Sequence, residues 1–235
     1  MNTKPHQPRF WIAGKRLAVL VFALMAINLS SQAETNSVET LCAQTKQFCD
    51  QMHATKSAAE QKMLAAKALD CAQRAVLTDT NSAKAHLCLA VSYVKNFPFV
   101  DTRTQVHYSR FIKTEAETAV RLDPNNDVSY YLLGRWHYGV ANMNFIYKGL
   151  VKIIYGGLPK ASNELALGNF QKAIRLAPGR IIHRLELAKL YHTTDQLELA
   201  LAELKQCGAL APVDQDDTDA QLAAADILRT RNWPD

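Results

Sequence analysis

Arg135 lies four residues after Tyr131 and three before Tyr138, in a stretch that reads as one helix, DVSYYLLGRWHYGVA. A guanidinium offers a planar fork of donors that matches a carboxylate or a phosphate. A tyrosine beside it adds an apolar body with a polar tip. Lys84, Lys189 and His192 fall at matching places on two other helices, as do Leu87, Val91, Lys95, Ile182 and Leu185. Together they describe a basic and aromatic lining suited to an acidic peptide, a C-terminal carboxylate or a lipid phosphate. The same residues on a solvated helix face would have no specific ligand. Residue types alone leave both alternatives open.

Catalytic chemistry has much less support. The sequence has no HExxH, no GxSxG, no phosphate loop and no CxxC. Its seven histidines, at 6, 53, 86, 107, 137, 183 and 192, show no helix-pair spacing for a metal. His137 occupies a packing position and is expected to be a core histidine with its hydrogen bonds satisfied. Glu115 and Glu117 are two apart and fall on different helix faces. A non-enzymatic protein is expected, with no metal and no cofactor.

What positions the groove residues is a repeat. Ala75–Tyr93, Ala119–His137 and Ala173–Tyr191 read AVLTDTNSAKAHLCLAVSY, AVRLDPNNDVSYYLLGRWH and AIRLAPGRIIHRLELAKLY, and they align without gaps. Pro178 and Pro212 are 34 residues apart, which is the tetratricopeptide period. Pro124 to Pro178 is 54, longer by 20, and Thr80 to Pro124 is 44, longer by 10, so two repeats carry insertions. Small residues mark close helix approaches: Ala90, Gly134 and Ala188 on first helices, Ala68, Ala166 and Ala200 on second ones, with Ile112 at the remaining place. Phe170 and Leu204 fill the facing holes. The fold class expected is all-α, a tetratricopeptide-type α-solenoid of antiparallel helix pairs with an inserted helix in one repeat. Helices are placed at 36–53, 57–78, 82–96, 104–122, 127–142, 146–155, 162–176, 180–193, 196–209 and 215–230. First helices of such an array line its concave side.

The insertion at 143–161 is apolar on nearly every side. Ile146, Leu150, Ile153 and Ile154 share one face, Phe145, Tyr147, Val151 and Tyr155 cover most of the rest, and only Lys148 and Lys152 are charged. A helix apolar all round is buried or faces lipid. Burial inside the array is the simpler expectation; a pocket wall or a membrane contact is the alternative.

The first 33 residues read as a leader. Lys4, Arg9, Lys15 and Arg16 precede an apolar run from Leu17 to Leu29, and Ser31 and Ala33 sit at the small-residue positions of a cleavage site. That run, about 13 residues, is short of the ~20 needed to span a bilayer. The domain expected is therefore 34–235, exported and periplasmic after cleavage behind Ala33, with an uncleaved membrane anchor as the alternative. Without the leader, 23 basic residues face 22 acidic ones, so the formal charge of +5 belongs mostly to the leader. No nucleic-acid partner is expected on that basis. Export permits disulfides. Cys42 and Cys49 lie ~10.5 Å apart along one helix, too far to bridge each other. Cys71 is within reach of either across a helix hairpin, and Cys88 within reach of Cys71. Cys207 falls at a core position and is expected as a small buried hydrophobe.

The phrases KALDCAQRAV, AVRLDPNNDVSYYLLGRWHYGVANM and YGGLPKASNELALGNFQKAIRLAP, within residues 67–229, resemble the regulator of microtubule dynamics family. The inserted segment between paired helices makes that likeness more specific than a generic repeat match. The resemblance implies a tetratricopeptide-like protein associated with microtubules or, in a membrane-tethering branch, with phospholipid binding and transfer. The groove residues themselves favour a protein or peptide partner; the alternatives are a phospholipid in an apolar cavity walled by the inserted helix, or microtubule binding, which requires a cytosolic chain. An exported bacterial relative of the family fits both the leader and these phrases.

Overall fold

The structure, a computed structural model, describes residues 37–233. The leader lies outside the described residues. These residues form ten α-helices and no strand: α1 Val38–Ala54, α2 Ala58–Thr78, α3 Ala83–Asn96, α4 Thr102–Leu122, α5 Asp127–Ala141, α6 Phe145–Tyr155, α7 Asn163–Leu176, α8 Ile181–Thr193, α9 Leu197–Ala209 and α10 Gln215–Thr230. Each begins and ends within two residues of its expected place. A 3₁₀ turn, Phe97–Phe99, follows α3.

Local chemistry sets these boundaries. Ser37, Ser57, Ser82, Asp101, Asn126, Asn144, Ser162 and Asp214 each accept a backbone N–H in the first turn of the helix they precede. Such caps satisfy donors that the helix itself leaves open. Arg180 and Gln196 make no such side-chain bond at the starts of α8 and α9. For α8 the cap comes from elsewhere. Asp217, fully buried in the first turn of α10, accepts from the backbone N–H of Ile181 at 3.0 Å and of Ile182 at 3.1 Å. The Asp cluster at the start of α10 therefore serves a neighbouring helix as well as its own.

Helices pair as α1/α2, α3/α4, α5/α7 and α8/α9, with α10 closing the stack. The first helices, α1, α3, α5, α8 and α10, touch one another in order and form the inner layer. The small residues lie where the pairs approach: Ala68, Ala90, Ala166, Ala188 and Ala200 are all fully buried. Gly134 is the tightest place. A Cβ built there would lie 2.6 Å from two ring carbons of Phe170, itself fully buried. Trp136 donates its indole N–H to the Ser109 carbonyl at 2.7 Å and so ties α5 to α4. His137 is buried as expected, but its Nδ1 has no hydrogen-bond partner. Burial lowers its pKa, which keeps the ring neutral.

One expectation is corrected. The inserted helix α6 is not buried in the array. Only Val151 is fully covered, while Phe145 is 88% exposed, Ile146 71%, Ile153 83% and Ile154 61%. The reason lies at its C-terminal end. Gly156 and Gly157 both have positive φ and turn the chain away. Arg110 of α4 then donates to the carbonyls of Tyr155 and Gly157. Held by that clamp and by Val151, α6 lies along the array with one edge in and one face out. The sequence left the cysteine pairing open, and all five are free thiols here. Cys42 turns towards Cys88 and the Lys84 carbonyl, and Cys71 towards Gln44 of α1. Cys207 is fully buried, as expected.

Candidate ligand groove

The inner layer curves until its two ends approach. His53, in the last turn of α1, accepts from Lys95 Nζ of α3 at 2.8 Å, and its Nε2 lies 3.7 Å from Asp216 of α10. The concave face is thus bounded at one edge by a contact between the first and last helices. Lys95 and His53 are committed to that contact.

Deeper in the concavity, α5 and α8 lie side by side and bring four predicted residues together. Tyr131 and Arg135 are one turn apart on α5, and Arg135 Nη1 donates to the Tyr131 hydroxyl at 3.3 Å. Across from them Glu186 of α8 lies 3.6 Å from Arg135 Nε and accepts from Lys189 Nζ at 2.8 Å. One turn further on, the Tyr138 hydroxyl hydrogen-bonds with Thr193 Oγ1 at 2.8 Å. Arg135 keeps 49% of its side-chain surface open, whereas Glu186 keeps 7%. Tyr131 is buried, and burial pushes its phenol up to about 12, so it stays protonated. The Tyr131 oxygen and then Glu186 hold Arg135 in its charged form. Arg135 therefore presents a positioned cation to the groove, with Nη2 unpartnered among the described residues.

The remaining predicted residues lie apart. His192 stacks on Trp233, centroids 4.1 Å apart, at the C-terminal end of the array. Lys84 is exposed in the first turn of α3, and no hydrogen bond or ion pair joins it to the Arg135 cluster. Glu186 was missed by sequence reasoning. Its signal was a carboxylate three residues before Lys189 on the same helix, and it offsets part of the positive charge that the lysine and arginine count implied. A second missed pair, Asp127 and His183, joins the starts of α5 and α8 at 2.7 Å behind Tyr131. The hydrogen bond from His183 holds the Asp127 carboxyl below the usual range.

A separate cavity of about 510 Å³ lies between α6 and the loop that follows it. Val140, Met143, Val151, Leu158 and Leu165 supply apolar walls, and Lys148 and Lys152 also line it. Among the described residues no group of three or more His, Cys, Asp or Glu is placed to hold a metal.

Paired helices in two layers, with small residues at each crossing, define a tetratricopeptide-like solenoid. A thermophilic TPR protein of Thermus thermophilus has a similar fold, with a TM-score of 0.51 at 19% identity, covering 91% of this chain and 96% of that one. Residues 17–232 match the family described as regulator of microtubule dynamics protein 1-3, and the chain belongs to that family. It is 26% identical over 229 residues to regulator of microtubule dynamics protein 2 of Macaca fascicularis, covering 90% of this chain and 55% of the relative. It is 28% identical over 171 residues to protein 1 of Bos taurus, covering 72% and 54%. The chain thus spans about half the length of the curated relatives it matches.

Proposed function

We propose that this chain is a non-enzymatic interaction module that holds an extended peptide segment of a protein partner in its concave groove, anchored by a carboxylate on Arg135. The observation that carries this reading is the Arg135 geometry. Tyr131 and Glu186 orient the guanidinium, yet 49% of the Arg135 side chain stays exposed. Lys189, tied to Glu186, adds a second cation one turn along α8, and Tyr138 extends the contact surface. An acidic side chain or a chain terminus is the fitting ligand. The test is fluorescence anisotropy with a peptide panel bearing free and amidated C-termini. Arg135→Gln should weaken the best binder about tenfold, the loss of one charge-assisted contact. Equal affinity for wild type and variant would overturn the assignment.

A phospholipid is the second reading, and the cavity beneath α6 favours it, with apolar walls and two lysines. Organic extraction of the purified chain, followed by mass spectrometry, would recover a stoichiometric lipid on that reading. The names of the relatives also suggest microtubule regulation, which requires a cytosolic chain. We place the chain instead outside the cytoplasm, on the strength of the basic front, the apolar run and the Ala33 cleavage site. An intact mass of the purified product that retains residues 1–33 would remove that support.

A further inference from the structure

All five cysteines fall among the described residues, and two of them face each other. Cys42 lies in the second turn of α1 and is 2% exposed, and Cys88 lies in the second turn of α3 and is half-buried. Both pack in one apolar cluster with Val38, Leu41, Ala75 and Ala85. Cys42 Sγ stands 3.8 Å from the Lys84 carbonyl oxygen. Lys84 is one turn before Cys88, and a helical side chain leans over the turn that precedes it. The two sulfurs therefore occupy the same turn of α3, and the largest influence on the ionisation of each is the other. The remaining thiols point elsewhere. Cys49 lies two turns further along α1, Cys71 Sγ faces Gln44 Oε1 at 3.6 Å, and Cys207 Sγ faces the Ile181 carbonyl at 3.8 Å.

We propose that Cys42 and Cys88 are a redox pair, and that a disulfide between them staples α1 to α3 and fixes the first repeat of the array. The chemistry is thiol–disulfide exchange with a small-molecule or protein disulfide as oxidant. Cys88 lowers the pKa of Cys42, against burial that raises it, and Lys84 also lowers it. Cys42 is thus the thiolate of the pair, and the thiolate is the attacking species. Its route to the oxidant is local opening of α1, the end helix, which packs on α2 and α3. Cys42 attacks one sulfur of the oxidant and expels the first thiolate. Cys88 then loses its proton and attacks the Cys42 sulfur of the mixed disulfide, expelling the second. The oxidant gains two electrons and is released as two thiols, while the chain loses two hydrogens and gains one S–S bond. That bond joins residues 46 positions apart and encloses all of α2. Such a cross-link restricts the unfolded chain. It also acts on the groove, because α1 carries His53, whose contacts with Lys95 and Asp216 close one edge. Oxidation holds that edge in place and reduction lets α1 fray, whichever ligand the groove takes.

The test incubates the folded full chain with oxidised and reduced glutathione over a range of ratios, then blocks free thiols with a maleimide and maps the peptides by mass. The expected product is a cross-linked peptide pair containing Cys42 and Cys88, two hydrogens lighter than the reduced pair and reversed by a thiol reductant. The oxidised chain should melt roughly 5 °C or more above the reduced one. Hydrogen–deuterium exchange over 38–54 should be at least fivefold slower in the oxidised form. Cys42→Ser and Cys88→Ser should each abolish all three changes, whereas Cys71→Ser should leave them. The wild-type measurement decides the matter even where a variant folds poorly. Absence of the cross-link at every ratio would overturn the proposal, as would a cross-link through Cys49, Cys71 or Cys207 in its place. A Cys42–Cys88 bond that forms only in urea would show that the native arrangement does not bring the thiols together. A bond that leaves both the melting temperature and α1 exchange unchanged would refute the staple.

Discussion

Gly134 and Gly139 lie five residues apart on α5, and the structure gives them opposite responses to the same substitution. At Gly134 an added methyl would stand 2.6 Å from Phe170 Cδ1 and Cε1, and at Gly139 it would meet nothing within 4 Å. Glycine to alanine inside a helix gains about 1 kcal/mol from lower backbone entropy in the unfolded chain. Gly139→Ala should realise most of that gain. Gly134→Ala must also move a fully buried ring, and overpacking of this kind costs about 1–3 kcal/mol. The net effect should be a loss of up to about 2 kcal/mol. For a chain of this size 1 kcal/mol corresponds to roughly 2–4 °C, so Gly139→Ala should melt roughly 2–12 °C above Gly134→Ala. Phe170→Leu should relieve the clash, and the double-mutant cycle should show a coupling of about 1 kcal/mol or more. Because Gly134 sits between Tyr131 and Arg135, its alanine variant should also weaken peptide binding in the groove. If both glycine variants raise the melting temperature alike, the close approach of α5 and α7 is wrong, and with it the geometry assigned to Arg135.

Three further outcomes are expected. Asp127 has a depressed folded pKa, so its contribution is present above the ordinary carboxylate value of about 3.9 and is lost as pH falls through the folded value. Asp127→Asn should cost about 1–2 kcal/mol at pH 7 and flatten this acid limb in urea melts at pH 3, 5 and 7. Asp217→Ala would leave two backbone N–H groups at the start of α8 unpaired, and should cost about 3 kcal/mol in the same assay. Burial pushes the Cys207 thiol up to about 12, so a maleimide should label it only after denaturation, as peptide mass mapping would show.

The helix pairs were legible because their determinants are local. Ala90, Gly134 and Ala188 recur at one repeat position, and the helix-ending Pro or Thr-Asn recurs with them, so alignment of the chain with itself found each crossing. Contacts that depend on curvature left no such trace. Asp217 caps a helix that starts 36 residues earlier, and His53 meets Asp216 only because five inner helices have turned far enough to bring α1 near α10. In sequence Asp217 is one of four aspartates near one helix start, with Asp214, Asp216 and Asp219, and the positive end of that helix's own dipole accounts for an acidic cluster there without any neighbouring helix. Glu186 was hidden in another way. Counting Lys189, Arg135 and Lys95 as a lining took cations one by one, whereas a nearly buried carboxylate among them changes what each is free to do.

The inserted helix shows where apolar periodicity stops predicting location. Burial was expected because a helix with few polar residues ordinarily has nowhere else to go. Here α5 and α7 already pack on each other through Gly134 and Phe170, and Trp136 and Ile112 seal α4 beneath them. That leaves no vacancy in the array for eleven more residues. Arg110 and Val151 suffice to fasten α6 to the outside. The fold therefore gains almost nothing from Ile146, Ile153 or Ile154, and polar residues at those places would leave every core contact intact. A helix that the architecture holds at one edge, while its largest side chains face outward, derives its apolar character from what lies outside the protein.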